Sequence, residues 1–497
     1  MFHRTWSLML LQQNISAPCT VLDFPTRERF VRELTSHDYD VVGLTGIIVN
    51  AGKIREMCRL VRRHSPHSTL IVGGHVTAIP GIEGMIDADH IVKGEGVAWL
   101  REYLGEEAGH RINHPLIPSS FGFRLMGLPV PRGGGNAAAT IIPSVGCPMG
   151  CNFCTTSEFF GGKGKMVTFL ERGEDVFRVM CEAEKSLGAR AFFMMDENFL
   201  LYKKRALELL DLMKAHGKSW SLYVFSSANA IRKYDVRQLV ELGIEWIWLG
   251  LESSGSQYQK LKGADTKALA RELQSHGIRV HGSTIIGLEH HTPDNIDEVI
   301  DHAVAHETVF HQFMLYTPVP GTPLYRDVEA DGRLLEGVDL ADIHGQFKFN
   351  FRHAAISRDQ SKAMLDRAFR RDYEVNGPSL FRLTASMLTG WRRYRDDPDE
   401  RVRARVRGEA AQLRSGWGAT LWAMEKYLRE SNRIVSDRIA DLRAQVEREV
   451  GGLAPVIDRL AGPLMLWSAR RDARLAPAGR VREPRTFVDR HNWRAAT

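Results

Sequence analysis

Apolar positions change their spacing along the chain, and three stretches follow from that. In residues 1–110 short apolar runs alternate with segments of helical period. Val21, Leu22 and Phe24 make one run, Val41, Val42 and Leu44 a second, and Leu70, Ile71 and Val72 a third. Between the last two, Ile54, Met57, Leu60 and Val61 fall on one helical face, and 97–104 reads as a helix after Ile91 and Val92. Strands alternating with helices predict a doubly wound parallel sheet, which binds ligands beyond the carboxyl ends of its strands. Glycines stand there: Gly46, then Gly73 and Gly74, then Gly94 and Gly96 around Glu95.

Residues 111–136 carry Pro115, Pro118, Pro129 and Pro131 before Gly133, Gly134 and Gly135, the composition of a linker. From 137 to 350 the alternation returns with a longer repeat. Strands are predicted at 139–145, 191–196, 221–226, 245–251, 279–286 and 312–317, with helical patterns such as 205–215 and 236–242 between them. Six such units suit a partial (β/α)6 barrel, whose chemistry sits at the carboxyl ends of its strands. Those ends are polar or rich in Gly and Pro: Asp196, Glu197 and Asn198; Ser226 and Ser227; Glu252 and Ser253; Gly287 and Glu289; and the run from Thr317 to Tyr325. Any one of them reads as a helix cap; five in register read as a site.

Beyond 351 no strand is predicted. Apolar stripes at Leu380, Phe381, Met387, Leu388 and Trp391, at Leu421, Trp422, Met424, Tyr427 and Leu428, and at 464–467 predict an all-helical domain over 351–497. Charge distinguishes this region: from Arg358 onward 29 Lys and Arg face 19 Asp and Glu, in a chain of net charge +6. The basic helices predict either a solvated cap on the barrel or a surface for an acidic substrate or anionic lipid. No nucleic-acid motif is present, so no nucleic-acid partner is expected.

No apolar run approaches the ~20 residues of a membrane-spanning helix, and the run at 7–11 is too short for a secretory leader. A cytoplasmic location is expected, with association to a membrane surface through the tail as the variant. Six cysteines in 497 residues are too few for a disulfide scaffold. Cys19, Cys58 and Cys181 stand alone and read as buried apolar residues.

The other three carry the chemistry. Cys147, Cys151 and Cys154 follow the first barrel strand with the spacing C-x3-C-x2-C and Phe153 before the last. Three thiolates in one turn hold three corners of a [4Fe–4S] cube and leave one iron open. Zinc is the alternative, but it needs a fourth Cys or His, and His114 and His216 are far off in sequence. This motif resembles the signature of the radical S-adenosylmethionine (SAM) enzymes. The resemblance implies that the open iron chelates SAM and that the cluster's electron cleaves it to a 5′-deoxyadenosyl radical. It also implies SAM contacts at Phe153, Glu197, Ser226, Glu252, Ile286 and Gly287, with Glu197 toward the SAM amino group.

The first stretch resembles the cobalamin-binding domain that precedes the radical SAM core in one large subclass. Thr45 and Gly46 with Gly73 and Gly74 match the elements that cradle the cofactor's nucleotide tail, Gly94, Glu95 and Gly96 match the family's Gly-Glu-Gly element, and His75, which follows the glycine pair, is counted with them among the implied cobalamin contacts. The broader Asp-x-His-x-x-Gly motif is missing, so the resemblance implies a cobalt whose lower face is not held by histidine. A generic nucleotide-binding sheet is the alternative.

The implied cofactors are a [4Fe–4S] cluster, SAM and cobalamin. The implied reaction is methylation of an unactivated carbon of a lipid or secondary metabolite, fed by an electron donor such as flavodoxin or ferredoxin. Radical cyclisation or C–C bond formation without methyl transfer is the runner-up, and a cobalamin-binding sensor the non-enzyme alternative.

Overall fold

The computed structural model describes residues 2–120, 124–125, 128–129, 137–252, 258, 261, 263–450, 454–475 and 485–492. Near the amino terminus β1 (Val41–Thr45), β2 (Thr69–Gly73) and β3 (His90–Ile91) run parallel in that order. The helix Ala51–His64 covers them through Ile54, Cys58, Leu60 and Val61, the face its sequence period marked out. This is the expected small parallel sheet.

The larger sheet contains β4 (Ala138–Ile141), β5 (Ala191–Met194), β6 (Ser221–Ser226), β7 (Ile244–Gly250), β8 (Arg279–Ile286) and β9 (Phe310–Leu315). All six run parallel in chain order, the topology of the predicted partial barrel. Alternate residues such as Phe192, Leu222, Val224, Ile247 and Val280 are almost fully buried against the outer helices. Their odd-numbered or even-numbered neighbours face the lumen, because strand side chains alternate with period two.

Two expectations need correction. Residues 111–136 are not linker throughout: Ile117–Ser120 pairs antiparallel with β4, and Phe2–His3 pairs with it in turn. Pro118 disguised that strand, yet a proline is tolerated near a sheet edge, and Ile117 is buried. Pro131 and Gly133 to Gly135 lie outside the described residues. Second, the C-terminal region is not purely helical. Phe487–His491 is a strand paired antiparallel with Cys19–Asp23, at the opposite end of the chain. Its sequence has no apolar run because charge secures it: Arg490 reaches Glu33, and Arg4 bridges Asp23 and Asp489.

The remaining C-terminal residues form the expected helices, among them Ser379–Tyr394, Glu400–Gln412, Gly418–Leu428, Arg433–Val450 and Ala454–Leu475. Glu400–Gln412 lies across the amino ends of β6 to β8. Arg401 donates to the carbonyls of Lys218 and Glu241, Arg405 to that of Val240, and Glu409 pairs with Arg279 at the start of β8. That mouth of the barrel is closed, so a ligand reaches the lumen from the carboxyl side. Among the described residues no helix is long and apolar enough to cross a membrane. All six cysteines are free thiols; Cys58 is buried as expected, whereas Cys19 and Cys181 are only half-buried.

Candidate active site

The cysteine loop leaves the carboxyl end of β4 and is pinned at its base, where Ser144–Val145 pairs antiparallel with Val167–Thr168. Its turns need glycine. Gly146 (φ 86°) would place a Cβ 2.8 Å from Phe160 Cβ, and Gly150 (φ 65°) would place one 2.5 Å from Lys163 Cβ. Ser157 donates to the Cys147 carbonyl at 2.6 Å, and the Cys154 amide to the Cys151 carbonyl at 3.0 Å. On the far side Asn152 donates to the Tyr316 hydroxyl and accepts from that of Tyr258, each at 3.2 Å, while Phe153 meets the Tyr258 ring edge-on. Tyr258 and Tyr316 were not picked out from the sequence; only the fold brings them to the loop.

The three thiols feel one another. Burial pushes Cys147 up to about 11, with smaller contributions from Cys154, Glu197 and Cys151, and burial also raises Cys154. Thiols held in this way stay protonated until a metal cation replaces the proton. Among the described residues no three His, Cys, Asp or Glu converge as one metal ion would require. A cube, by contrast, takes its ligands at separate corners.

Glu197 stands beside Cys147 and Cys154, as its charge on both shows. Burial first, and then the charge of Asp196, push its carboxyl up to about 7. Asp196 itself is held by Arg205 and Ser144. Ser226 donates to Asn198 Oδ1 at 3.1 Å, and Asn198 also takes the Ser227 amide, so one amide side chain ties the ends of β5 and β6 together. Glu252 is buried at φ 52°, a left-handed conformation uncommon for a side chain of this size, and its amide donates to the Ser283 carbonyl. Ser253 lies outside the described residues. Ile286 is buried at the end of β8; a Cβ on Gly287 (φ 77°) would meet Phe349 at 2.5 Å. His291 accepts from the Gly287 and Leu288 amides, which makes it a turn residue.

At the small sheet, Thr45, Gly46, Gly73 and Gly74 come together at the carboxyl edge. The Gly46 amide donates to the Gly73 carbonyl at 3.3 Å. Gly74 (φ 82°) is glycine because a Cβ would sit 2.6 Å from Thr45 Oγ1 and 2.7 Å from the Gly46 carbonyl. A Cβ at Gly73 would meet only the Val92 carbonyl, at 3.9 Å, so that side of the cradle is open. Glu95 caps the helix Gly96–Tyr103 by accepting from the Val97 and Ala98 amides. His75 is half-buried; its Nε2 is shielded from solvent and has no hydrogen-bond partner. Its ring stacks on Phe159, directly after the cysteine loop, at 4.3 Å between centroids. A glycine-lined edge with a shielded imidazole fits a large cofactor lying between the two domains.

Comparison with known proteins decides the class. The Radical SAM superfamily model matches residues 141–303, and the B12 binding domain model matches residues 9–104. The chain belongs to the cobalamin-binding radical SAM enzymes. Its cofactors are therefore a [4Fe–4S] cluster, SAM and cobalamin, and the sensor alternative falls away. This radical SAM enzyme is 25% identical over 359 residues to bacteriochlorophyllide d C-8(2)-methyltransferase of Chlorobaculum tepidum, covering 66% of this chain and 75% of that one. To hopanoid C-2 methylase of Rhodopseudomonas palustris it is 22% identical over 372 residues, covering 69% of each. Its fold resembles the solved radical SAM methyltransferase TsrM from Kitasatospora setae, which has cobalamin and a [4Fe–4S] cluster bound. That match has a TM-score of 0.50 at 17% identity and covers 77% of this chain and 90% of that one.

Proposed function

We propose that this enzyme methylates an unactivated carbon of an apolar small molecule, a lipid or a secondary metabolite. The observation that carries the reading is the contact of His75 with Phe159, which sets the glycine edge of the cobalamin domain against the cysteine loop. The cofactors supply a carbon-centred radical from SAM and a transferable methyl group from cobalamin. The chain's own part is placement. Cys147, Cys151 and Cys154 would hold the cluster as its three protein ligands. Glu197, a buried carboxyl beside them, gains from a cation, and the SAM ammonium is such a group. Ser226 and Glu252 offer oxygen atoms for the rest of SAM, and Gly287 keeps the backbone tight beside it. The closed amino end of the barrel, sealed by Glu400–Gln412, shields the radical from water.

A ring-forming reaction is the second reading. It is favoured by 24% identity over 225 residues to anaerobic magnesium-protoporphyrin IX monomethyl ester cyclase of Cereibacter sphaeroides. A small electron carrier such as flavodoxin or ferredoxin is the proposed reductant, and the basic tail the proposed contact with an anionic membrane surface. The test is anaerobic turnover with methyl-labelled SAM and extracts of cells lacking the gene, read by mass spectrometry. Gain of one labelled methyl group by one compound supports methylation; loss of hydrogen without label supports ring formation.

A further inference from the structure

The lumen of the barrel is walled by aromatic rings. Facing residues of neighbouring strands place Phe225, Trp248, His281 and Phe310 side by side across β6 to β9. These side chains alternate with the fully buried outer residues yet remain only half-buried themselves, so they border a hollow and not a filled core. Below them Tyr223 and Trp246 continue the wall toward the closed end.

Their orientation is specific. Trp248 and His281 stack at 4.1 Å with planes 17° apart, and Phe225 stacks on Trp248 at 5.0 Å and 29°. Trp246 and Phe310 lie 11° from parallel at 5.2 Å. Rings that stack on their neighbours along the sheet, as Phe225, Trp248 and His281 do, turn their edges, not their faces, toward the lumen; Phe310, 61° from the His281 plane at 5.8 Å, closes the row at an angle. Ring edges carry the positive part of the aromatic quadrupole and favour a π face laid across them. Across four strands the row spans about 14 Å at the usual strand spacing of ~4.8 Å, more than one indole covers.

Charge is absent from the wall's chemistry. The Tyr223 hydroxyl and His281 Nδ1 pair with each other at 2.9 Å, and burial holds His281 neutral by pushing it down to about 4. Beneath, Arg279 lies over Trp246 at 5.6 Å, but Glu245 and Glu409 both neutralise it. Gly250, at the SAM-side end of β7, lies two residues beyond Trp248, about 7 Å along the strand. A ligand on the wall would thus present its rim to the radical.

We propose that the substrate is an uncharged-faced, planar conjugated ring system, about the width of four strands, that lies flat against the Phe225–Trp248–His281–Phe310 row. This rests on the methylation reading for the radical's place, and on the ring geometry alone for the ligand class. The test uses the full-length enzyme loaded anaerobically with cluster and cobalamin, so that the cobalamin site is filled. Protoporphyrin IX dimethyl ester is the planar probe and cholestanol the saturated one, each delivered in the same detergent. Binding is followed by quenching of tryptophan fluorescence and, for the porphyrin, by the shift of its Soret band.

The expected result is porphyrin binding at least tenfold tighter than cholestanol, weakened tenfold or more by Trp248→Ala and by Phe225→Ala, with iron, cobalamin and SAM binding retained. If either variant loads its cofactors poorly, Trp248→Leu and Phe225→Leu, closer in volume, take their place. Equal affinity for the two probes, or wild-type porphyrin binding by fully loaded wall variants, overturns the proposal. Methyl transfer from labelled SAM to cobalamin is measured in the same samples. Its failure with porphyrin binding intact sinks methylation and leaves the ligand class standing; the reverse result does the opposite.

Discussion

His75 stacks on Phe159 with ring centroids 4.3 Å apart and planes 24° from parallel. One ring belongs to the loop after β2, the other to the short helix that follows the three loop cysteines, so the pair joins the two cofactor domains. Phe159→Ala removes one partner of an aromatic contact worth about 0.5–1.5 kcal/mol beyond burial. The expected outcome is normal iron and cobalamin content with methyl transfer slowed about tenfold, measured by single-turnover label transfer. Loss of cobalamin itself would show that the pair serves binding and not alignment.

The His75 imidazole leads to a second expectation, about cobalt. Its Nε2 is shielded and without a hydrogen-bond partner, yet burial lowers its pKa and its ring is committed to Phe159. The missing Asp-x-His-x-x-Gly motif implies that histidine does not ligate the metal. The spin-resonance spectrum of bound cob(II)alamin should therefore lack nitrogen splitting from protein and be the same in His75→Ala. Splitting that vanishes in the variant would make His75 the lower ligand.

Cluster loading gives the third. Each of Cys147→Ala, Cys151→Ala and Cys154→Ala should drop iron from about four per chain and abolish SAM cleavage, with the circular dichroism unchanged. Cys181→Ala is the control, since that thiol is half-buried on a helix away from the loop. Full cleavage by Cys151→Ala would contradict the cluster assignment.

The parts of this site that sequence made legible are those whose signal is local. Three cysteines within eight residues, the glycine pair after Val72, and Glu197 after a strand each state their chemistry in a short window. The parts that stayed hidden are held together across the chain. Phe487–His491 carries no strand signal of its own and reads as part of the helical tail, because its partner strand is Cys19–Asp23 and Arg490 finds Glu33 only in the fold. Glu409 reads as one more solvated helix charge, yet it is half-buried against Arg279 and closes the barrel. The aromatic wall did leave a trace in Tyr223 and Phe225 and in Trp246 and Trp248, spaced by two, but spacing alone does not say which face is hollow.

Acid should destabilise the fold before its ordinary carboxylates titrate; Glu197, pushed up to about 7, takes its proton earlier. His311 is enclosed, its two ring nitrogens pair with the hydroxyls of Thr284 and Thr308, and it stacks on Phe313. Burial drives its pKa well below the ordinary value, helped by His306, Arg382 and His281, and burial also pushes His281, His291 and His306 down to about 4. The unfolded chain binds these protons first. Stability is therefore complete above about pH 6.5 and lost as pH falls from there toward 4. Denaturant melts of cofactor-free protein at pH 7.5 and 5.5 measure the loss. His311→Phe should cost about 1–3 kcal/mol at pH 7.5, because two threonine hydroxyls lose their partner, and should show the smaller pH difference.

The last expectation concerns the helix Ala454–Leu475. Leu460, Leu464 and Trp467 are 76%, 45% and 53% exposed, and their spacing of four and three puts them on one face. The opposite side is committed to the fold, since a Cβ on Gly462 would lie 2.6 Å from the Trp422 ring. Arg471 sits over the Trp467 ring at 5.3 Å, with Arg470 and Arg474 exposed nearby. An apolar stripe beside arginines is the pattern of a helix resting in an anionic lipid surface. Sedimentation with vesicles should show binding to anionic but not to neutral lipid. Salt at 1 M, which shortens screening to ~3 Å, should remove most of it, as should Leu460→Ser with Trp467→Ser. Those two changes expose no core, so the variant should keep its melting temperature and its cofactors. Negligible binding to both vesicle types would mean that this face serves something other than a membrane.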